Sequence, residues 1–142
     1  MNNTAILGLL ALLAVSACDS FDNPAPDEAR VLIQGEAGAL VRVIVSTRFV
    51  AGINDAGETR VEILQSDTVI TTLPFDKVYD IEADQRFFVE AARLDDDLEN
   101  VRMQVFLDNR VRFDEAGTLI EGTPYRFVFA FNQVILRDIS VL

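Results

Sequence analysis

Leu40-Val-Arg-Val-Ile-Val-Ser-Thr-Arg-Phe-Val50 decides the fold class. Apolar and polar residues alternate along it, which puts Val41, Val43, Val45, Thr47 and Phe49 on one face and Arg42, Ser46 and Arg48 on the other. A period of two is the signature of a half-buried strand, and β-branched residues favour that state further.

The same period runs outward in both directions. Val31 and Ile33 alternate before it, and Val61 and Ile63 after it. Phe87, Val89 and Ala91 align, as do Val101, Met103, Val105 and Leu107 opposite Arg102, Gln104 and Asp108. Tyr125, Phe127, Phe129 and Phe131 form an aromatic stripe, and the segment from Phe131 to Leu142 reads as a last strand. Turn residues separate these runs: Asn54-Asp-Ala-Gly57, Gln65-Ser-Asp67 and Glu115-Ala-Gly117, with Pro74 ending a strand. Asp108-Asn109 sits between two alternating runs as a two-residue hairpin turn does. The pattern predicts an all-β domain over residues 29–142, a single antiparallel two-sheet sandwich of the immunoglobulin-like kind with seven to eight strands. A chain of this size buries enough surface to need no disulfide or metal for stability.

Composition narrows the chemistry. Asp and Glu number 23 against 12 Lys and Arg, a net charge of −11, so phosphate backbones are repelled and nucleic-acid binding is disfavoured. Histidine is absent from the 142 residues, which removes the usual general base and every Ser-His-Asp or Cys-His arrangement.

The single cysteine, Cys18, follows an apolar run over residues 5–15 that is too short to span a bilayer and suits a secretory signal. Val15-Ser16-Ala17-Cys18 resembles the lipobox of bacterial lipoproteins. The resemblance implies cleavage before Cys18, a diacylglycerol on its sulfur and a fatty acyl chain on its new amine. Several acyl chains make a stable anchor. Residues 1–17 are then a signal peptide. Residues 18–28 form a lipidated cysteine and an acidic tether stiffened by Pro24 and Pro26. No other cofactor is expected, and the address is the bacterial cell envelope, on its periplasmic or surface side.

A wider resemblance runs through the domain. "VLIQGEAG", "VRVIVST", "TTLPFDKVYDI", "FFVEAARL" and "VRMQVFLDNRVRFDEAG" are similar, in that order, to the MmpS-like β-sandwich of transport-accessory proteins and small bacterial lipoproteins. Leu73-Pro74-Phe75 stands where Leu-Pro-Trp is usual there, and Asp108-Asn109 where Asp-Gly is usual. The resemblance spans about residues 29–117. It implies an exported sandwich that assists an exporter of the resistance-nodulation-division type, and it carries no catalytic motif.

Three groups of residues are candidates for a site. Asp95, Asp97 and Glu99 are oxygen ligands of the type calcium takes, but Asn100 stands where a calcium loop needs glycine, so the segment reads as a solvated hairpin tip. Glu58, Asp67 and Glu82 could supply a carboxylate pair, although nothing selects two of them. Phe127, Phe129 and Phe131 read as core, or else as a patch that docks a partner or ligand, since Val128 and Ala130 make the strand apolar on both faces. The function expected is non-enzymatic binding by a lipid-anchored protein, with an envelope protein or exporter as partner and strand addition at an edge as the cheapest mode. The alternative is a carrier of a lipid or apolar small molecule between the sheets.

Overall fold

The computed structural model describes residues 25–81, 85–94, 100–119, 122–130, 132–135 and 139–142. Ten strands are present among them: β1 (Glu28–Gln34), β2 (Leu40–Ile53), β3 (Thr59–Thr72), β4 (Phe75–Asp80), β5 (Phe87–Arg93), β6 (Asn100–Leu107), β7 (Arg110–Thr118), β8 (Tyr125–Ala130), β9 (Gln133–Ile135) and β10 (Ile139–Val141). They form a four-stranded sheet, β4-β1-β6-β7, and a six-stranded sheet, β10-β3-β2-β5-β8-β9. Cys18, Glu82, Asp95, Asp97, Glu99 and Phe131 lie outside the described residues.

The two sheets meet on the faces that alternation assigns to the core. Val31 and Ile33 from β1, Met103 and Val105 from β6, Val43 from β2, and Phe87, Val89 and Phe127 from β5 and β8 all lie in one buried cluster. The turn at Asp108-Asn109 has the expected form. Both residues have positive φ, 46° and 63°, which matches the right-handed twist of the strands it joins.

The architecture departs from an antiparallel sandwich of seven to eight strands in three respects. The terminal segment supplies two short strands rather than one. β10 runs parallel to β3 and makes the six-stranded sheet mixed. Gln65-Ser-Asp67 and Glu115-Ala-Gly117, which read as turns, lie inside β3 and β7. Their small and polar residues are tolerated because these positions are mostly exposed, where packing places few demands on a side chain.

A change of face within β2 and β3 matters more than these. Val41, Val43 and Val45 face the four-stranded sheet, but Phe49 belongs to a second buried cluster on the opposite face of the six-stranded sheet. From Val45↔Asp67 to Arg48↔Gln65, β2 advances three residues while β3 advances two. From Arg48↔Gln65 to Phe49↔Ile63 it advances one against two. Each strand thus contributes one surplus residue, and an extra residue sends every later side chain to the other face. Both strands switch together, so their pairing resumes beyond the irregularity.

The switched halves of β2 and β3 curl the sheet over its own outer face. Phe49, Ala51, Val61 and Ile63 pack there against Phe88, Val128, Ala130 and Ile135, with Ile139 and Val141 from β10. Asn54 closes the hairpin between the two halves. Its side-chain oxygen accepts from the amides of Ala56 and Glu58, at 3.0 and 2.9 Å, and Gly57 takes the positive φ of 83°. Among the described residues, then, one sheet borders two cores.

Candidate functional site

Every edge of a sheet carries unpaired backbone donors and acceptors, a template for an added strand. The outer edge of β7 is guarded by Arg110, Arg112, Asp114 and Glu115, and by a bulge where Phe106↔Val111 follows Val105↔Phe113. β4 carries Asp76, Lys77 and Asp80. β9 and β10 are three residues each.

β3 is different. Its first three residues pair with β10, but among the described residues no strand covers its outer side beyond Val61, apart from the amide of Leu142 on the Val61 carbonyl. The free length includes Gln65-Ser-Asp-Thr-Val-Ile-Thr-Thr72, with five β-branched residues in succession and one charge, Asp67. Leu64 and Ile70 are 64% and 62% exposed beside that edge. Tertiary structure alone leaves this edge open, because the curl carries β10 only as far as the switched half of β3.

Beneath the free edge lies a cleft of about 570 Å³, lined by Ser46, Arg48, Gln65, Asp67, Tyr79 and Asp80 among others. The ion pair of Lys77 with Asp67, at 3.6 Å, links β4 to β3 beside it. Lys77 also sits 4.8 Å from the centre of the Tyr79 ring. The Tyr79 hydroxyl is buried and has no hydrogen-bond partner among the described residues. Burial, with a smaller contribution from Asp67, pushes its pKa up to about 12. Asp67 therefore serves as the partner of a lysine.

On the outer face of the six-stranded sheet, Glu90 is 5% exposed and lies between two arginines. Arg126 Nε donates to it at 2.7 Å and Arg42 Nη2 at 3.5 Å. Arg126 also donates to the carbonyl of Ile139 at 3.0 Å, which fastens β10 across the curl. Sequence reasoning passed over this cluster. Arg42, Glu90 and Arg126 are polar residues on largely apolar strands, and only the register brings the three together.

The residues singled out from sequence are dispersed. Glu58 is exposed and its carboxylate accepts from the Asn54 side chain at 2.7 Å, holding a turn. Phe127 and Phe129 are buried between the sheets, and Val128 and Ala130 are buried in the second core, so β8 is covered on both faces. Phe127 packs edge-on against Phe113 at 6.0 Å, and Phe87 against Tyr79 at 5.8 Å. The side chains that would line an inter-sheet carrier cavity are thus in contact with one another. Among the described residues no group of three acidic or cysteine side chains converges to hold a metal.

No family model matches this chain, and neither does any curated protein.

Proposed function

We propose that this protein is a lipid-anchored, non-enzymatic binding module of the bacterial envelope, which takes an extended segment of a partner protein onto the free edge of β3. The observation that carries this reading is the open, β-branched run from Gln65 to Thr72, beside three other edges that are charged, bulged or short. An added strand would satisfy the waiting backbone groups, and the cleft at Ser46, Asp67 and Tyr79 would receive alternate side chains. The apolar leader and Val15-Ser16-Ala17-Cys18 support the lipid anchor, and the absence of histidine from the sequence supports binding over catalysis. The resemblance to the MmpS-like sandwich supports a partner within an export complex.

Two experiments test the reading. Cys18→Ser should abolish incorporation of labelled palmitate in a bacterial host; equal labelling of both proteins overturns the anchor. A photo-crosslinking residue at Thr72 should give one discrete adduct in intact cells, and Thr68→Lys with Ile70→Lys should remove it, because edge lysines block strand addition. An adduct that persists in a folded double variant overturns the β3 edge as the binding surface.

A further inference from the structure

The start of the domain lies at one end of the sandwich. The amides of Asp27 and Glu28 donate to the Asp108 carboxylate at 3.0 and 3.3 Å, so the segment that follows the tether is held at the β6–β7 turn. The strand registers place Leu107, Arg110, Val111 and Phe129 at this end and Leu40, Gln34 and Leu94 at the other. A chain anchored through residue 18 presents the first end to the bilayer.

Acids lie at that end, Asp27, Glu28, Asp80 and Asp108, but two of its arginines have no ion pair among the described residues. Arg30, Arg42, Arg102, Arg126 and Lys77 each pair with a carboxylate. Arg110 and Arg112 have none within 4.0 Å among the described residues. Both line a cleft of about 130 Å³ together with Pro26, Leu107, Asp108, Phe129 and Asn132. The bulge in β7 brings this about. Phe106 pairs with Val111 and Val105 with Phe113, so Arg112 is the surplus residue. Of the acids nearby, Asp108 lines the same cleft and accepts both amides on its Oδ1, and Asp27 and Glu28 lie beside it. The lining thus combines the apolar Pro26, Leu107 and Phe129 with two arginines, Asn132 and Asp108.

We infer that Arg110 and Arg112 form a seat for the phosphodiester of an anionic lipid headgroup, which docks the anchored domain upright on the membrane. This inference rests on the lipid-anchor reading. Guanidinium groups recognise phosphate oxygens through paired N–H donors, and arginines near an anionic leaflet gain from its surface potential. The acidic tether repels that leaflet, so the two arginines decide whether the domain stands off or sits down. Upright seating directs the far end, with Leu94, away from the bilayer.

The chain has no tryptophan, so a single introduced one reports position. Full-length protein carrying Val111→Trp or Leu94→Trp is coupled through the Cys18 thiol to a maleimide lipid, which reads the seat whether or not cells acylate that sulfur. Vesicles contain a nitroxide-headgroup quencher in phosphatidylcholine, with or without phosphatidylglycerol. Phosphatidylglycerol should raise quenching of the Val111→Trp reporter and leave the Leu94→Trp reporter unchanged. Arg110→Gln and Arg112→Gln should each lower the seated-to-free ratio roughly fivefold, while Arg60→Gln, an equal loss of charge elsewhere, leaves it intact. Equal quenching on both lipids, equal quenching of the two reporters, or an equal loss in Arg60→Gln overturns the seat. Displacement by millimolar inorganic phosphate at constant ionic strength also overturns it, in favour of a site for the free anion. Absence of acyl chains on the protein recovered from cells refutes the anchor alone.

Discussion

The Ser46 hydroxyl donates to the Gln65 carbonyl across 2.6 Å, at the point where β2 and β3 both change face. The same oxygen accepts from the Arg48 amide at 3.0 Å, so one small side chain satisfies two backbone groups that the bulge frees from the ladder. A strand interior rarely asks for serine. Here an apolar residue would leave the Gln65 carbonyl and the Arg48 amide without this partner.

Ser46→Ala is therefore expected to cost about 1–3 kcal/mol, the usual penalty for orphaning buried polar groups. Urea denaturation followed by circular dichroism measures it. Thr47→Ala is the comparison, since Thr47 is only partly buried, and should cost less.

Phe88 tests whether the second core is integral. It is fully buried, meeting Phe49 edge-on at 6.2 Å, and lies on the sheet face remote from β1 and β6. Phe88→Ala should destabilise the protein by about 3–5 kcal/mol in a single transition. Hydrogen exchange should show the amides of β10 opening first, because that strand's apolar contacts are in this cluster.

Glu90 holds two arginines from a buried position, so its loss leaves cations without a partner in a partly dry site. Glu90→Gln is expected to lower stability by about 3 kcal/mol, and Arg42→Gln by less, since the Arg42 side chain is 40% exposed and its contact is the longer one. Chemical denaturation of the two single variants and the double variant gives the coupling.

Alkaline titration should find no ordinary tyrosine in the folded state. Burial pushes both Tyr79 and Tyr125 up, Tyr79 to about 12. The folded protein holds the Tyr79 proton more tightly than the unfolded chain does. Its contribution to stability is complete below pH 10 and is lost as the pH rises toward 12. Tyrosinate absorbance should appear late and together with unfolding, and Tyr79→Phe should remove that share of the alkaline loss.

At the acid end the sign reverses. Arg30 holds the Asp76 carboxyl below its ordinary value through their hydrogen bond, and Arg102 does the same for Asp114. Both pairs stabilise the fold above the ordinary carboxylate range, and the contribution disappears as the pH falls below it. The pairs are solvent-exposed, so Asp76→Asn and Asp114→Asn should shift the acid midpoint only slightly.

Much of this architecture is local in origin. Alternation alone assigned Val31, Val43, Val89, Met103 and Phe127 to a buried face, because a pleated strand sends successive side chains to opposite sides. The Asp108-Asn109 turn was equally legible, since both residues tolerate the left-handed backbone it requires. What alternation could not reveal is where it breaks. The surplus residues near Ser46 and Leu64 matter only as a pair on neighbouring strands, and nothing in either segment read singly announces the other. From that one non-local event follow the curl, the second core around Phe88, the parallel docking of β10 and the uncovered edge of β3. The Glu90 cluster and the unpaired Arg110 and Arg112 come from other non-local pairings, the arginines from the bulge in β7, since a charge is neutralised or left free by its neighbours across the sheet. Local chemistry determined which residues form strands and which faces are oily; tertiary pairing decided which edges and charges were left without a partner.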